Sequence, residues 1–196
     1  MKKTITLSLI LLALQTVTAQ NVKFSNGSFE NGLMYPIAEY TGEADAKKAF
    51  NENILEIVSV YKDQDYCISQ YGFVQHNKFI QLNFYFNCID MESSKTESYL
   101  FNLKEGTTCL PSEMLSEDEN GFQDFFEKKV SSHFTQNGKE APTSEFLNNL
   151  SIDTFNVTLL EKGIELSFDS QEDWPDKSLL IVWSELRPYL KHLHSK

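Results

Sequence analysis

The stretch QLNFYFNC, residues 81 to 88, alternates apolar and polar side chains from one end to the other. Successive side chains of a strand point to opposite faces of a sheet, whereas a helix repeats every 3.6 residues. The stretch therefore predicts a β-strand with one buried row and one exposed row. The buried row ends on a thiol and consists of Leu82, Phe84, Phe86 and Cys88.

The segment before it, YCISQYGFV at residues 66–74, predicts a second strand, and a short polar stretch joins the two. A two-residue turn at His76-Asn77 would place Cys67 opposite Phe86. Cys67 then lies diagonally beside Cys88 on the same face, within reach across the two strands. We therefore predict a β-hairpin stapled by a Cys67–Cys88 disulfide.

The first nineteen residues have the three parts of a signal peptide. Lys2 and Lys3 form a charged start, residues 7–14 form an apolar core, and small residues precede a cleavage site before Gln20. An uncleaved membrane tether is the alternative, but the apolar run is shorter than the ~20 residues that span a bilayer. We expect residues 1–19 to be removed and the protein to be exported, to a periplasmic or extracellular location.

Cysteine usage fits an oxidising compartment, where thiols tend to pair. The chain has three cysteines, without a C-x-x-C pair or zinc-finger spacing, so thioredoxin-like and zinc chemistry lack support. The two strand cysteines lie in an aromatic row, which favours a structural role over a nucleophilic one. Cys109 is left without a partner.

The charge balance excludes some partners. The chain has 196 residues with 17 basic and 28 acidic side chains, a formal net charge of −11. Removal of Lys2 and Lys3 with the signal peptide brings the charge to −13. Such a surface repels nucleic acid and anionic lipid and attracts a cationic protein. The alternative is that acidity only keeps the protein soluble.

The order of predicted elements indicates one α+β domain over residues 33–193, with a mainly antiparallel sheet and amphipathic helices packed on it. Residues 20–32 are polar and predict a loose lead-in, and Pro36 indicates an edge strand. Beyond the hairpin, strands are predicted at 33–40, 97–103, 155–159, 164–168 and 178–183. Helices are predicted at 44–61, within 110–150, and at 185–193 with Ser184 as N-cap.

No pattern typical of a catalytic, cofactor or metal site is present. The serine-hydrolase elbow, the P-loop and the Rossmann glycines are absent from the sequence. His192 and His194 are two residues apart and do not share a helix face. His76 is interpreted as a turn residue and His133 as a boundary residue of its helix. The acidic stretch 116–120 lacks the spacing of a calcium loop.

An acidic loop around Trp174 is the candidate partner-contact site. Asp173 and Asp176 flank this indole, and two further carboxylates, Asp169 and Glu172, precede it. A tryptophan among acids suits contact with a basic partner or a sugar. The alternative is that Trp174 folds back to cover the sheet.

Three segments resemble a secreted family. GLMYPIAEY with KAFNENI is similar to a Y-P-x-I strand followed by an N-x-x-I helix, and YLFNLKEGTTCLPSEML is similar to a family stretch that ends in L-x-D-L-F. FNVTLLEKGIELSFDSQEDWPDKSLLIVWSELRPYL resembles its second half. This is the domain-of-unknown-function pair in the extracellular part of lysozyme-sensing anti-sigma factors, which also precedes the catalytic domain of some polysaccharide deacetylases.

The resemblance covers residues 33–190 and has two departures. The family's Gly-Gly-Ala-His turn between central strands is replaced by residues 90–95, and its Pro-Tyr before the closing Ser-Glu-Leu is replaced by Val182-Trp183. No binding residue is therefore carried over. The chain shows neither a cytoplasmic segment nor a membrane helix, so signalling by that route is not implied.

The function expected from these observations is a non-enzymatic exported binding module of the cell envelope. The resemblance implies a lysozyme-like cationic protein or a cell-wall glycan as ligand. We expect no cofactor and no nucleic-acid partner, and no membrane insertion after signal cleavage. The alternatives are a small envelope hydrolase or glycan-modifying enzyme, with a convergent histidine or carboxylate pair, and a structural envelope protein.

Overall fold

The computed structural model describes residues 21–89, 91–115, 121–168, 174–175 and 177–191. Within these residues the chain forms nine strands in three antiparallel sheets, together with four α-helices. The α+β class and the predominance of antiparallel sheet are therefore as predicted. No helix in this part of the chain is long and apolar enough to cross a bilayer.

The N-terminal unit is a two-stranded sheet followed by a helix. Strand β1 (Lys23–Ser28) pairs antiparallel with β2 (Met34–Glu39), and α1 (Ala44–Ser59) packs against β2. The prediction that residues 20–32 form a loose lead-in is wrong. Phe24 packs edge-on against Phe73, with ring centroids 4.9 Å apart, and this apolar contact holds the segment as a strand.

The outer edge of β2 is closed by side chains from elsewhere in the fold. Met34 N donates to Ser69 Oγ (2.9 Å), and this hydroxyl donates back to Met34 O (2.5 Å). Asn51 accepts from Ala38 N (2.7 Å) and donates to Ala38 O (3.1 Å). Pro36 lies between Met34 and Ala38 on the same edge, and it has no N–H group that would need a partner. The edge position predicted from Pro36 is confirmed.

A four-stranded sheet forms the centre of the molecule. Its strands are β3 (Cys67–His76), β4 (Phe79–Cys88), β5 (Lys95–Asn102) and β6 (Thr107–Thr108), adjacent in that order. The turn before β6 needs Gly106, which has a φ of 75°. A side chain at Gly106 would also collide with the carbonyl of Ala46 in α1.

The β3–β4 hairpin is present, but its register differs from the prediction by two residues. Asn77 and Lys78 form the turn, with Asn77 in the left-handed region at φ 54°, and His76 ends β3 opposite Phe79. Cys67 consequently lies directly opposite Cys88 rather than diagonal to it. A shift of two residues keeps each side chain on its predicted face.

The C-terminal part contains α2 (Phe122–Gln136), α3 (Ser144–Asn148), β7 (Asn156–Leu160), β8 (Gly163–Ser167), β9 (Leu179–Val182) and α4 (Trp183–Leu186). The strands form a sheet in the order β7-β8-β9. Short 3₁₀ turns occur at Pro111–Met114, Ile152–Thr154 and Arg187–Tyr189.

The closing helix is shorter than predicted. It begins at Trp183, not after Ser184, and no side chain caps its N-terminus. Pro188 would lie in the interior of a longer helix, where it removes a hydrogen bond and clashes with the preceding turn. The chain therefore passes into a 3₁₀ turn at Arg187–Tyr189.

Two apolar cores lie on opposite faces of the central sheet. The buried row of β4, from Ile80 to Cys88, packs with α1 and the β1–β2 sheet. Phe79 points to the other face and joins the core formed by α2 and the β7–β9 sheet. This second core covers only the part of that face near the hairpin turn, so the rest of it remains exposed.

Candidate functional site

The predicted disulfide is present. Cys67 and Cys88 are bonded, with their Cα atoms 4.1 Å apart, and both are buried. Cys109 is free and half-buried. Burial, reinforced by the nearby carboxylates of Glu113 and Glu105, raises the pKa of the Cys109 thiol to about 12. At neutral pH this group is a thiol, not a reactive thiolate.

The predicted contact site around Trp174 is not an exposed site. Trp174 is only 6% exposed and packs against Phe134 and Phe155, with ring centroids 5.3 and 5.0 Å away. The prediction that this indole faces a partner is wrong, because its large apolar area outweighs the pull of the polar loop around it. Asp173 and Asp176 lie outside the described residues, as do Asp169 and Glu172.

The described histidines serve packing. His76 is a strand residue, contrary to the prediction of a turn residue, and its ring stacks on Trp183 at a centroid distance of 3.6 Å. Burial lowers the pKa of His76. His133 is buried rather than at a boundary, and its Nε2 donates to the Lys177 carbonyl (2.7 Å).

The weaker metal candidates are not brought into a site. No group of three or more His, Cys, Asp or Glu side chains suited to a metal occurs within the described ranges. His192, His194 and the acidic stretch 116–120 fall outside those ranges.

The uncovered part of the central sheet presents a patch of eight side chains, which we call the open face. Its residues come from alternate positions of β3, β4 and β5 that the strand pairing places on one side. Tyr85 is at the centre, between Gln70 on β3 and Thr96 on β5. The complete set is Ile68, Gln70, Gly72, Asn83, Tyr85, Asn87, Thr96 and Ser98.

The open face carries no charged side chain, although the chain as a whole is strongly acidic. Ile68 is 61% exposed and Tyr85 39% exposed, so both present apolar surface to solvent. Ser98 donates a hydrogen bond to Asn83 (2.7 Å), which fixes both side chains. Gly72 has open space where a side chain would stand, so a ligand can reach the backbone there. The surface offers amides, hydroxyls and one aromatic ring.

A cleft of about 450 Å³ adjoins the open face where it meets β7. Thr96 and Ser98 belong to both, while Asn156 and Thr158 contribute polar groups from β7. The residues that line this cleft, all within the described ranges, include no charged side chain and no histidine. Its apolar lining consists of Leu100, Cys109, Pro111, Phe155, Val157 and Leu159.

Gln81 fixes one wall of the cleft. This side chain is buried, its amide donates to Val157 O (2.9 Å), and its oxygen accepts from Leu159 N (2.5 Å). Gln81 thereby acts as a backbone-like partner for the free edge of β7 and holds β7 against the central sheet. The wall is thus set by buried hydrogen bonds rather than by a mobile loop.

A charged cluster lies on the opposite side of β5 from the open face. Glu97 accepts hydrogen bonds from Tyr61 (2.8 Å) and Tyr99 (2.7 Å), and it pairs with Lys95 (2.5 Å). Burial alone would raise the pKa of this carboxyl, but the three donors outweigh burial and the pKa is lowered. Glu97 is therefore ionised and fully engaged, which suits a structural tie between β5 and the turn that follows α1.

The open face was not predicted, although its outer row of residues is visible in the amino-acid sequence. The alternation of residues 81–88 was used to locate the buried row, but the outer row, Asn83, Tyr85 and Asn87, is uncharged as well. Outer rows of solvent-exposed strands usually carry charges, so an uncharged row with an aromatic residue marks a candidate contact surface.

The chain matches no protein-family model, no curated protein and no solved structure.

Proposed function

We propose that this chain is an exported, non-enzymatic binding module whose open face binds a neutral cell-wall glycan. The observation that carries the proposal is the absence of charge from eight adjacent sheet positions in a chain with a net charge of −11. Charged side chains keep an exposed sheet soluble and guard it against association. A patch that forgoes them fits a ligand that is itself polar and uncharged.

The groups on the open face match the chemistry of a sugar. A pyranose ring has an apolar face of C–H groups, which can stack on the central ring of Tyr85. The amides of Gln70, Asn83 and Asn87 can both donate and accept, as sugar hydroxyls do. The cleft beside Thr96 extends the surface and gives a chain-like ligand room to continue.

Export is supported by the Cys67–Cys88 disulfide, because such bonds persist in oxidising compartments. The binding role is supported by the lining of the cleft, which offers hydrogen bonds and apolar contact. The side chains of the open face are held by strands, and binding sites built on strands keep a more precise geometry than sites built on loops.

The test is co-sedimentation of the mature chain with purified peptidoglycan, together with calorimetric titration of soluble oligosaccharides released from it. Binding to an uncharged face should persist at high salt, because screening weakens only charge-dependent contacts. Tyr85→Ala should weaken binding about tenfold, the loss typical of a central aromatic contact residue. Leu55→Ala is the matched control, since Leu55 has the same 39% exposure on α1.

Two results would remove the glycan proposal. One is the absence of binding to peptidoglycan and its oligosaccharides by a folded, disulfide-bonded chain. The other is binding that high salt abolishes and that Tyr85→Ala leaves unchanged, since the contact would then be electrostatic and lie elsewhere.

A second candidate ligand is a lysozyme-like cationic protein. It is favoured by the net charge of −11 and by the resemblance to lysozyme-sensing anti-sigma factors. Titration with lysozyme at moderate salt should then give binding that weakens steeply as salt rises. No binding at high micromolar lysozyme would exclude this candidate without affecting the glycan proposal.

A further inference from the structure

The outer edge of β5 is only partly covered by β6. Strand β6 pairs with Phe101 and Asn102, and one further hydrogen bond joins Cys109 N to Leu100 O (2.9 Å). The chain then turns away into the 3₁₀ segment that begins at Pro111. The pairing with β6 therefore ends near Leu100, and the N-terminal part of β5 has no neighbouring strand on this edge among the described residues.

The uncovered part of this edge presents unpaired backbone groups. Alternate residues of an antiparallel strand direct their N–H and C=O groups to the same side. The carbonyl of Leu100 points toward β6 and away from β4. The backbone N–H and C=O groups of Thr96 and Ser98 therefore point to the same outer side of β5. In the part of the chain that the structure describes, these backbone groups have no partner, and both residues are exposed.

Two other strand edges are closed by side chains of the described residues. Ser69 and Asn51 satisfy the outer edge of β2, and Gln81 satisfies that of β7. A free strand edge invites pairing with another chain, and proteins usually block it with a charge, a proline or a covering segment. No proline and no described segment covers the Thr96–Ser98 edge, and the charges of Lys95 and Glu97 lie on the other face of β5, where they pair with each other. This is the arrangement of a strand-acceptor site.

The cleft next to this edge provides a place for one side chain of an added strand. A strand paired with β5 would direct every second side chain to the face that Thr96 and Ser98 share. Leu100, Val157 and Pro111 line the cleft on that side and would contact an apolar side chain. Backbone hydrogen bonds and one apolar pocket are the elements of peptide recognition by strand addition.

The net charge of the chain favours one kind of segment. Lys78 lies near Cys109 together with Glu105 and Glu113, so the charge beside the cleft is mixed, but the whole chain carries −11. A basic segment is attracted to such a surface, whereas a second copy of the chain is repelled by it.

We propose that the Thr96–Ser98 edge of β5 binds an extended basic polypeptide segment as an additional antiparallel strand, with one apolar side chain of that segment in the cleft. This site shares the cleft, Thr96 and Ser98 with the glycan proposal, but it binds through the backbone of β5 rather than through the side chains of the open face.

The probe is an eight-residue peptide of alternating lysine and valine, with an N-terminal acetyl and a C-terminal amide group. On binding, hydrogen exchange at the Thr96 and Ser98 amides should slow, since the added strand takes their N–H groups. A peptide of the same sequence with N-methyl groups at alternate residues loses its donors toward β5 and should bind at least about tenfold more weakly. A matched peptide with glutamate in place of lysine should bind more weakly as well.

The matched variants are Ser98→Pro and Ser98→Ala. Proline removes the edge N–H together with the hydroxyl and is tolerated at a strand edge, whereas alanine removes the hydroxyl and keeps the N–H. The difference between the two variants therefore reports the backbone donor. Binding should fall about tenfold in Ser98→Pro and stay within about twofold in Ser98→Ala. If Ser98→Pro does not fold, Thr96→Pro and Thr96→Ala make the same comparison, and the N-methylated peptide needs no variant.

The proposal is overturned if the N-methylated and unmodified peptides bind equally, or if exchange at Thr96 and Ser98 is unaffected by bound peptide. It is also overturned if sedimentation shows a dimer that Ser98→Pro dissociates, because the occupant would then be a second copy. Loss of glycan binding leaves the outcome of these peptide experiments unchanged, so the two proposals fail separately.

Discussion

At the scale of single residues, side-chain amides replace backbone partners at strand edges. Asn51 forms two hydrogen bonds with Ala38, and Gln81 joins Val157 and Leu159 in the same way. Each amide has one donor and one acceptor group spaced like those of a peptide, so one side chain can satisfy both groups of an edge. Asn51 thereby joins α1 to β2, and Gln81 joins the central sheet to β7, at little cost in buried polar groups.

Gln81→Leu should lower the free energy of unfolding by about 2–4 kcal/mol, because it leaves the Leu159 N–H and the Val157 carbonyl buried without partners. Urea unfolding monitored by tryptophan fluorescence gives this difference. Gln70→Leu is the control, since Gln70 is exposed on the open face and its change should stay within about 0.5 kcal/mol. Equal effects of the two substitutions would mean that the Gln81 hydrogen bonds contribute nothing.

The burial of Trp174 could not be predicted from the residues beside it in the sequence. Its neighbours in sequence are acidic, which indicated an exposed ring, but its neighbours in space are aromatic. Those partners lie on α2 and before β7, and only the tertiary packing brings them to the indole. Local composition describes the neighbours of a residue in sequence and not its neighbours in space.

At the scale of elements, the hairpin shows what alternation determines. The period of two residues fixed which face each side chain of β3 and β4 occupies, and the disulfide pairing followed from it. The register depended on the turn, where Asn77 takes a positive φ and Lys78 is its second residue. A register error of two residues preserves the faces, so hydrophobic patterning could not detect it.

Removing the staple should destabilise the fold. The double variant Cys67→Ala, Cys88→Ala should unfold with a free energy lower by about 3 kcal/mol, since the disulfide no longer restricts the unfolded chain over a separation of 21 residues. Cys109→Ala removes a thiol that forms no cross-link and is the control. A double variant as stable as the control in urea would show that the bond adds no stability.

At the scale of the whole molecule, the central sheet separates two cores, and part of one of its faces is exposed to solvent. The predicted strands and helices established the α+β class, because period and length distinguish these elements. They did not indicate that the second core covers only part of a sheet face. The extent of this cover depends on where β7 packs against the central sheet. Gln81 holds β7 there, but as a polar residue of an outer row it did not indicate a buried contact.

His76 and Trp183 connect the central sheet to the C-terminal part, and this contact should depend on pH. Burial lowers the pKa of His76 from the ordinary 6.5. The unfolded chain therefore takes up this proton at a higher pH than the folded chain. The stability contributed by the neutral ring is complete above about pH 6.5 and is lost as pH falls toward the folded pKa.

His76→Phe keeps the aromatic stacking and removes the titration. The urea midpoint of the wild type should fall more than that of His76→Phe when the pH is lowered from about 7.5 to about 5.5. The chain has two tryptophans, so fluorescence does not report the contact between His76 and Trp183 alone. Unfolding is therefore followed by circular dichroism. Parallel midpoints in the two proteins would show that His76 does not couple protonation to folding.

The β3–β4 hairpin is joined at both ends, by the Asn77 turn and by the Cys67–Cys88 bond. The two strands that carry most of the open face therefore form a covalently closed ring and cannot splay apart. A ligand meets a surface whose shape is already set, so little conformational entropy is lost when it binds. Reduction of the bond should accordingly weaken affinity even under conditions in which the chain stays folded.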